Sequence, residues 1–162
     1  MRMTARLLVL AAVTAVTTPA AAQSAVILVR HAEKVDNSQD AALSERGHAR
    51  AQHLAALLRS AGVKAIYTTQ YQRTQKTAEP LARELGITPS VVSSNETSTL
   101  VQRIKSERAG DVVLVVGHSN SVPDVIRLLG YSEPVEIPDP EYDNLFILVP
   151  NAPGATLVRL RY

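Results

Sequence analysis

The sequence predicts a three-layer α/β/α sandwich built on a mainly parallel sheet with an antiparallel edge. Three observations point to it. Short apolar runs rich in β-branched residues alternate with helix-period segments over most of the chain. The run VVLVV at 112–116 shows no polar alternation, as suits a central strand buried on both faces. The last third changes character, with a Pro- and acid-rich loop over 131–143 followed by two apolar runs around a turn.

Each element has its own local reason. Residues 25–29 read as the first strand. Residues 44–61 read as a helix with Ser44 as N-cap, Ala51, Leu54, Leu57, Leu58 and Ala61 on its apolar face, and Gly62 as its stop. A second strand at 65–67 leads to a helix over 71–85 that ends at Gly86, with a kink or break expected at Pro80. A third strand at 90–93, a helix at 97–107, the fourth strand at 112–116 and a short helix at 123–129 continue the alternation. Residues 145–149 and 155–161, joined by a turn at 151–154, pair as a hairpin at the sheet edge.

The first 22 residues stand apart. Two arginines, an apolar centre of about ten residues and an A-x-A end at Ala20 and Ala22 predict a signal peptide cut after Ala22 and export to the periplasm or beyond the cell. The apolar centre is short of the ~20 residues that span a bilayer, so no stable membrane insertion is expected after cleavage. The segment holds Arg2 and Arg6 but no acidic residue. The rest of the chain therefore carries 15 basic and 15 acidic side chains, and its balance gives no case for a nucleic-acid partner. Residues 23–162 suffice for one domain. There is no cysteine, which excludes disulfides, thiolate nucleophiles and zinc–thiolate clusters.

In open α/β sheets, ligands bind outside the carboxyl ends of the strands. The first strand ends at Arg30 and His31, the second leads through Thr68 and Thr69 towards Arg73, and the fourth ends at Gly117 and His118. Two arginines and two histidines are thus expected at one edge. Guanidinium forks match phosphate oxygens bidentately, and a neutral imidazole beside them can attack phosphorus to give a phosphohistidine that water later cleaves. A second histidine, if protonated, adds positive charge where the phosphoryl oxygens lie. This chemistry needs no metal.

Four blocks, in order, resemble the histidine phosphatase superfamily, the phosphoglycerate-mutase-like proteins: LVRHAEK at 28–34, LSERGHARA at 43–51, YTTQYQRTQKTAEPLA at 67–82 and VVLVVGHSN at 112–120. The resemblance implies the phosphoglycerate-mutase-like fold in its small single-domain branch. It implies a metal- and cofactor-free phosphatase acting on phosphomonoesters or phosphohistidine. It also implies His31 as the phosphorylated nucleophile, Arg30 and Arg73 as the phosphate clamp, and His118 as a second imidazole on the phosphate. Asn37, six residues after His31, falls where many members place a phosphate-binding asparagine. For the proton donor the nearest candidate is Glu96, with Glu33 next. Ala32 replaces the usual glycine of the R-H-G signature.

Other readings carry less. A phosphoglycerate-mutase-type phosphotransferase would need substrate-holding loops that this short chain lacks, and a phosphate- or phosphopeptide-binding module would have kept the clamp without turnover. GHSNS lacks the second glycine of a nucleophile elbow. The histidines have no H-x-x-H or H-E-x-x-H spacing, and His48 and His53 read as ordinary helix residues. Asp143 and Asn144 read as an ordinary turn before a strand, with Tyr142 and Asp143 as walls of the pocket the less favoured alternative. With no long insertion to form a cap, the site is expected to be open, taking a phosphoryl group on a small molecule, a glycan or a phosphoprotein, with large or exposed substrates favoured.

Overall fold

The computed structural model describes residues 25–151 and 153–162; the expected signal segment lies outside them. The chain forms β1 (Ala25–Arg30), α1 (Glu45–Leu58), β2 (Val63–Thr68), α2 (Gln72–Leu85), β3 (Ser90–Val91), α3 (Thr97–Glu107), β4 (Val112–Gly117), α4 (Ser121–Leu128), β5 (Asn144–Pro150) and β6 (Ala155–Arg161). The six strands lie in the order β3-β2-β4-β1-β5-β6. Pairing is parallel from β3 through β2 and β4 to β1, then antiparallel from β1 to β5 and β6. This is the expected α/β sandwich with its antiparallel edge.

The apolar runs explain the layers. Along β1 and β4, Val26, Leu28, Val113 and Val115 pack on Leu100, Val101 and Ile104 of α3 and on Val122, Val125 and Ile126 of α4. The alternate residues Ile27, Val29, Leu114 and Val116 pack on Leu54, Ala55 and Leu58 of α1 and on Ala78, Leu81 and Ala82 of α2. Each central strand is thus apolar on both faces, which is why its sequence shows no alternation. Among the described residues no helix is long and apolar enough to cross a membrane.

Local chemistry sets the element ends. The Ser44 hydroxyl caps α1 by accepting the Gly47 N–H at 3.1 Å, and the Ser44 N–H donates to the Glu33 carbonyl at 2.9 Å. A Cβ on Gly47 would stand only 2.1 Å from that same carbonyl. The glycine of LSERG therefore lets the first turn of α1 lie directly on the backbone leaving β1. The helix stops at Leu58, three residues before the sequence-based end, because the chain tightens into a turn (Ala61 N–H to Leu58 carbonyl, 2.9 Å) before Gly62 takes the left-handed conformation at φ 74°. No break occurs at Pro80: α2 runs through it. The carbonyl that Pro80 leaves unpaired belongs to Lys76, an exposed residue, where water can satisfy it.

Two glycine substitutions separate close packing from backbone strain. Nothing lies within 4 Å of a Cβ at Gly62, so Gly62→Ala meets only the left-handed penalty of about 1–2 kcal/mol. Gly47→Ala must push α1 off the Glu33 carbonyl and is expected to cost about 3 kcal/mol or more, lowering Tm by ~6–12 °C in a domain of this size. Thermal unfolding followed by circular dichroism checks the order; an equal or smaller loss at Gly47 contradicts the close approach.

Candidate active site

The site is assembled by strand register. Arg30 of β1 lies opposite Gly117 of β4, and the His31 N–H donates to the Gly117 carbonyl at 2.9 Å. Each strand is followed at once by a histidine, so the two imidazoles meet edge to face, with centroids 5.3 Å apart. The His118 backbone is held in turn: its N–H donates to the Ser121 hydroxyl at 3.0 Å. A Cβ at Gly117 would lie 2.9 Å from that hydroxyl and 3.0 Å from Val122, which accounts for the glycine before His118.

Arg73 arrives from the first turn of α2. It donates to the Gln39 carbonyl at 2.8 Å and stacks on the Tyr71 ring at 4.2 Å. Arg30 donates to the Glu141 carbonyl at 3.2 Å, pairs with the Asp139 carboxylate at 2.5 Å and stacks on Tyr142 at 4.1 Å. The Nε atoms of both arginines are buried without a hydrogen-bond partner among the described residues. Two guanidinium groups with donors to spare, beside two imidazoles, form an anion site.

Both imidazoles are neutral. His31 is 4% exposed, and its pKa falls to about 3, through burial first and then through the neighbouring His118, Arg73 and Arg30, against the raising effect of its bond to the Ala32 carbonyl. That bond, 2.8 Å from Nδ1, fixes the tautomer: a carbonyl only accepts, so Nδ1 carries the proton and Nε2 the lone pair. Ala32 is itself tied down, its N–H donating to the Thr77 hydroxyl at 2.9 Å, which donates to the Arg73 carbonyl at 2.7 Å. His118, 8% exposed, falls to about 4 through burial and the same two arginines. Its Nε2 lies 3.0 Å from the Thr69 hydroxyl, which joins Thr74 at 3.1 Å. A protonated second histidine is therefore not the state of the free site; an anion between the arginines would be needed to favour its charge.

Arg30, His31, Arg73 and His118 are thus brought together, and the other sequence candidates are not. Asn37 is exposed on the loop after β1. Glu96 is exposed at the start of α3, makes no side-chain capping bond and forms no hydrogen bond or ion pair with any of the four residues. Glu33 is a correction: although burial pulls the other way, a bidentate bond from Arg50 (2.9 and 2.7 Å) and the charge of Arg46 hold it below the usual carboxylate range. It is ionised and engaged, unfit to give a proton. Tyr142 forms a wall of the site, 6.0 Å from the His31 ring, in line with the less favoured of its two sequence readings. Tyr71, for which the sequence holds no signal, sits 5.5 Å from the His118 ring. The open site is a second correction: residues 139–142 close over Arg30, which is 4% exposed.

Comparison with known proteins agrees with this geometry. The sequence model of the histidine phosphatase superfamily (branch 1) matches residues 26–96. That segment holds Arg30, His31 and Arg73, and over it the chain is similar to the histidine phosphatase superfamily. No curated protein sequence matches the chain. Among solved structures it is similar to the protein histidine phosphatase SixA complexed with tungstate, at 17% identity and TM-score 0.66, covering 85% of this chain and 96% of that one. It is similar too to a phosphoserine phosphatase from Entamoeba histolytica (13% identity, TM-score 0.67, 84% and 95% covered) and to a mycobacterial glucosyl-3-phosphoglycerate phosphatase (12%, 0.68, 85% and 97%). At these identities the likeness establishes the phosphoglycerate-mutase-like fold that the superfamily shares. Among the described residues no cluster of three His, Cys, Asp or Glu side chains is placed to hold a metal ion.

The two depressed histidines make stability depend on pH. Both have folded pKa values below 6.5, so on acidification the unfolded chain binds protons first. Stability is then lost as pH falls from about 6.5 towards 4 for His118 and 3 for His31. Between pH 6.5 and 5.5 carboxylates are ionised in both states, so the histidines dominate the slope. His118→Asn is expected to flatten Tm against pH in that window; a slope unchanged from the native protein contradicts the buried neutral imidazole.

Proposed function

We propose that the protein is a metal-independent phosphatase that hydrolyses phosphomonoesters or phosphohistidine through a covalent phosphohistidine on His31. The observation that carries this reading is the pairing of a His31 Nε2 lone pair, fixed by the Nδ1 bond to Ala32, with two arginines whose buried Nε donors are unpaired among the described residues. Arg30 and Arg73 hold the phosphoryl oxygens, Nε2 attacks phosphorus, and the bond to the leaving oxygen breaks. Water then attacks phosphorus, and the P–N electrons return to Nε2. Burial first, and then the charges of Arg73 and Arg30, keep His118 neutral; the dianion that enters offsets the arginine part, so His118 is expected to become a charged donor only when the site is loaded.

Access supports a substrate with a modest leaving group. Val135, Glu136, Ile137 and Pro138 line a shallow surface groove together with Ser119 and Asn120, the residues that follow His118, and Pro123. With Arg30 covered, a phosphorylated small molecule, or a single phosphoryl side chain reaching inward, fits better than a broad protein or glycan surface. The N-terminal segment supports action in the periplasm or outside the cell.

Hydrolysis of p-nitrophenyl phosphate by the protein lacking residues 1–22 tests the proposal. EDTA is expected to leave the rate unchanged. His31→Ala is expected to lower kcat by ~10³-fold or more, and Arg30→Ala or Arg73→Ala by ~10²–10³-fold. Acid-labile label from a ³²P-labelled substrate should remain on the native protein and be absent from His31→Ala. No turnover by the native protein on phosphomonoesters or phosphohistidine sinks the phosphatase reading.

A further inference from the structure

The acidic groups around the clamp differ in one respect. Glu33 is locked by Arg50, Glu141 by Asn144, Arg159 and Arg161, and Asp143 by Arg161, and all three are held below the usual carboxylate range. Asp139 touches the phosphate clamp itself: its Oδ1 lies 2.5 Å from Arg30 Nη2, with no second cation on it among the described residues. Its side chain is 79% exposed, and it directly follows residues 135–138, which line a shallow groove together with Ser119 and Asn120, next in sequence to His118.

We infer that Asp139 is the general acid and base of the proposed reaction, giving a proton to the leaving oxygen and later taking one from the attacking water. The inference rests on the phosphatase reading of the same site. Phosphoryl oxygens that bind Arg30 replace the Asp139 carboxylate on Nη2 and leave that side chain beside the phosphoryl group. A carboxylate and a phosphate dianion side by side repel, and one shared proton, taken from solvent or brought by a monoanionic ester, relieves the repulsion. As His31 Nε2 forms the P–N bond and the P–O bond breaks, the Asp139 carboxyl passes this proton to the departing oxygen. In the second half the Asp139 carboxylate takes a proton from water while the water oxygen bonds to phosphorus and the P–N electrons return to Nε2. Release of phosphate leaves Asp139 ready for the next turnover.

Aryl phosphates of graded leaving ability provide the test, from phenyl phosphate, whose phenolate needs a proton, to 2,4-dinitrophenyl phosphate, whose anion leaves unaided. Because kcat/KM reports the first half-reaction, Asp139→Asn is expected to lower it ~10²-fold or more for phenyl phosphate and to leave it nearly unchanged for the dinitrophenyl ester. Asp139→Glu, which keeps a carboxyl group, should recover part of the loss on phenyl phosphate. An equal loss across the series, or a faster enzyme, overturns the inference, since a residue that merely places or covers Arg30 has no leaving-group preference. A native protein inactive on the whole series overturns the phosphatase reading and this inference together, whereas an active native protein with a uniform loss in the variant overturns this inference alone.

Discussion

The parallel pairing of β1 with β4 is the constraint on which the rest of the site depends. With Arg30 opposite Gly117 and His31 bonded to the Gly117 carbonyl, the two strands end level, and the residue after each is a histidine. A slip of one residue would turn every apolar side chain of a strand to the opposite face and offset the two imidazoles. The register is protected by the core: Val26, Leu28, Val113 and Val115 fill one face of the pair, and Ile27, Val29, Leu114 and Val116 the other. The geometry of the site and core packing are therefore specified by the same six-residue ladder.

Placing two arginines at this edge has an electrostatic cost that the fold does not fully offset. Arg73 is met by a carbonyl and a ring, Arg30 by a carbonyl, a ring and one exposed carboxylate, and among the described residues no buried anion neutralises either. The uncompensated charge joins burial in holding both histidines neutral, which preserves a nucleophilic lone pair on His31 at acidic pH. A buried carboxylate partner would make a more stable protein and a poorer anion site. The unsatisfied Nε atoms mark where stability has been given up for binding.

Much of this was legible in the sequence because it rests on short-range patterns. The strand runs, the Ser44 cap, the left-handed Gly62 and Gly86 and the span of α3 all follow from neighbours within a few residues. The four central side chains were legible because each sits beside a strand end or at the start of a helix. What was not legible lies in contacts between distant segments. Arg30 meets Glu141 across 111 positions, through a loop with no periodicity to place it, so Tyr142 and the cover over Arg30 left no local signal. Glu33 looked available as an acid because its partner Arg50, 17 positions away on α1, is recognisable only once Gly47 has brought that helix against the exit of β1.

The partners of the two arginines also differ in what a ligand can displace. Backbone carbonyls, those of Gln39 and Glu141, are fixed by the chain and keep the guanidinium planes oriented whether or not an anion is bound. The Asp139 carboxylate is on an exposed side chain with rotational freedom, and a phosphoryl oxygen can take its place at Arg30 without disturbing the backbone. Preorganisation and exchange are thereby divided between main chain and side chain. An arginine held only by carboxylates would have to be freed before it could bind, and one held by nothing would have to be ordered. This clamp is ordered in advance and gives up a single exchangeable contact, so the free energy of phosphate binding is spent mainly on the phosphoryl group itself.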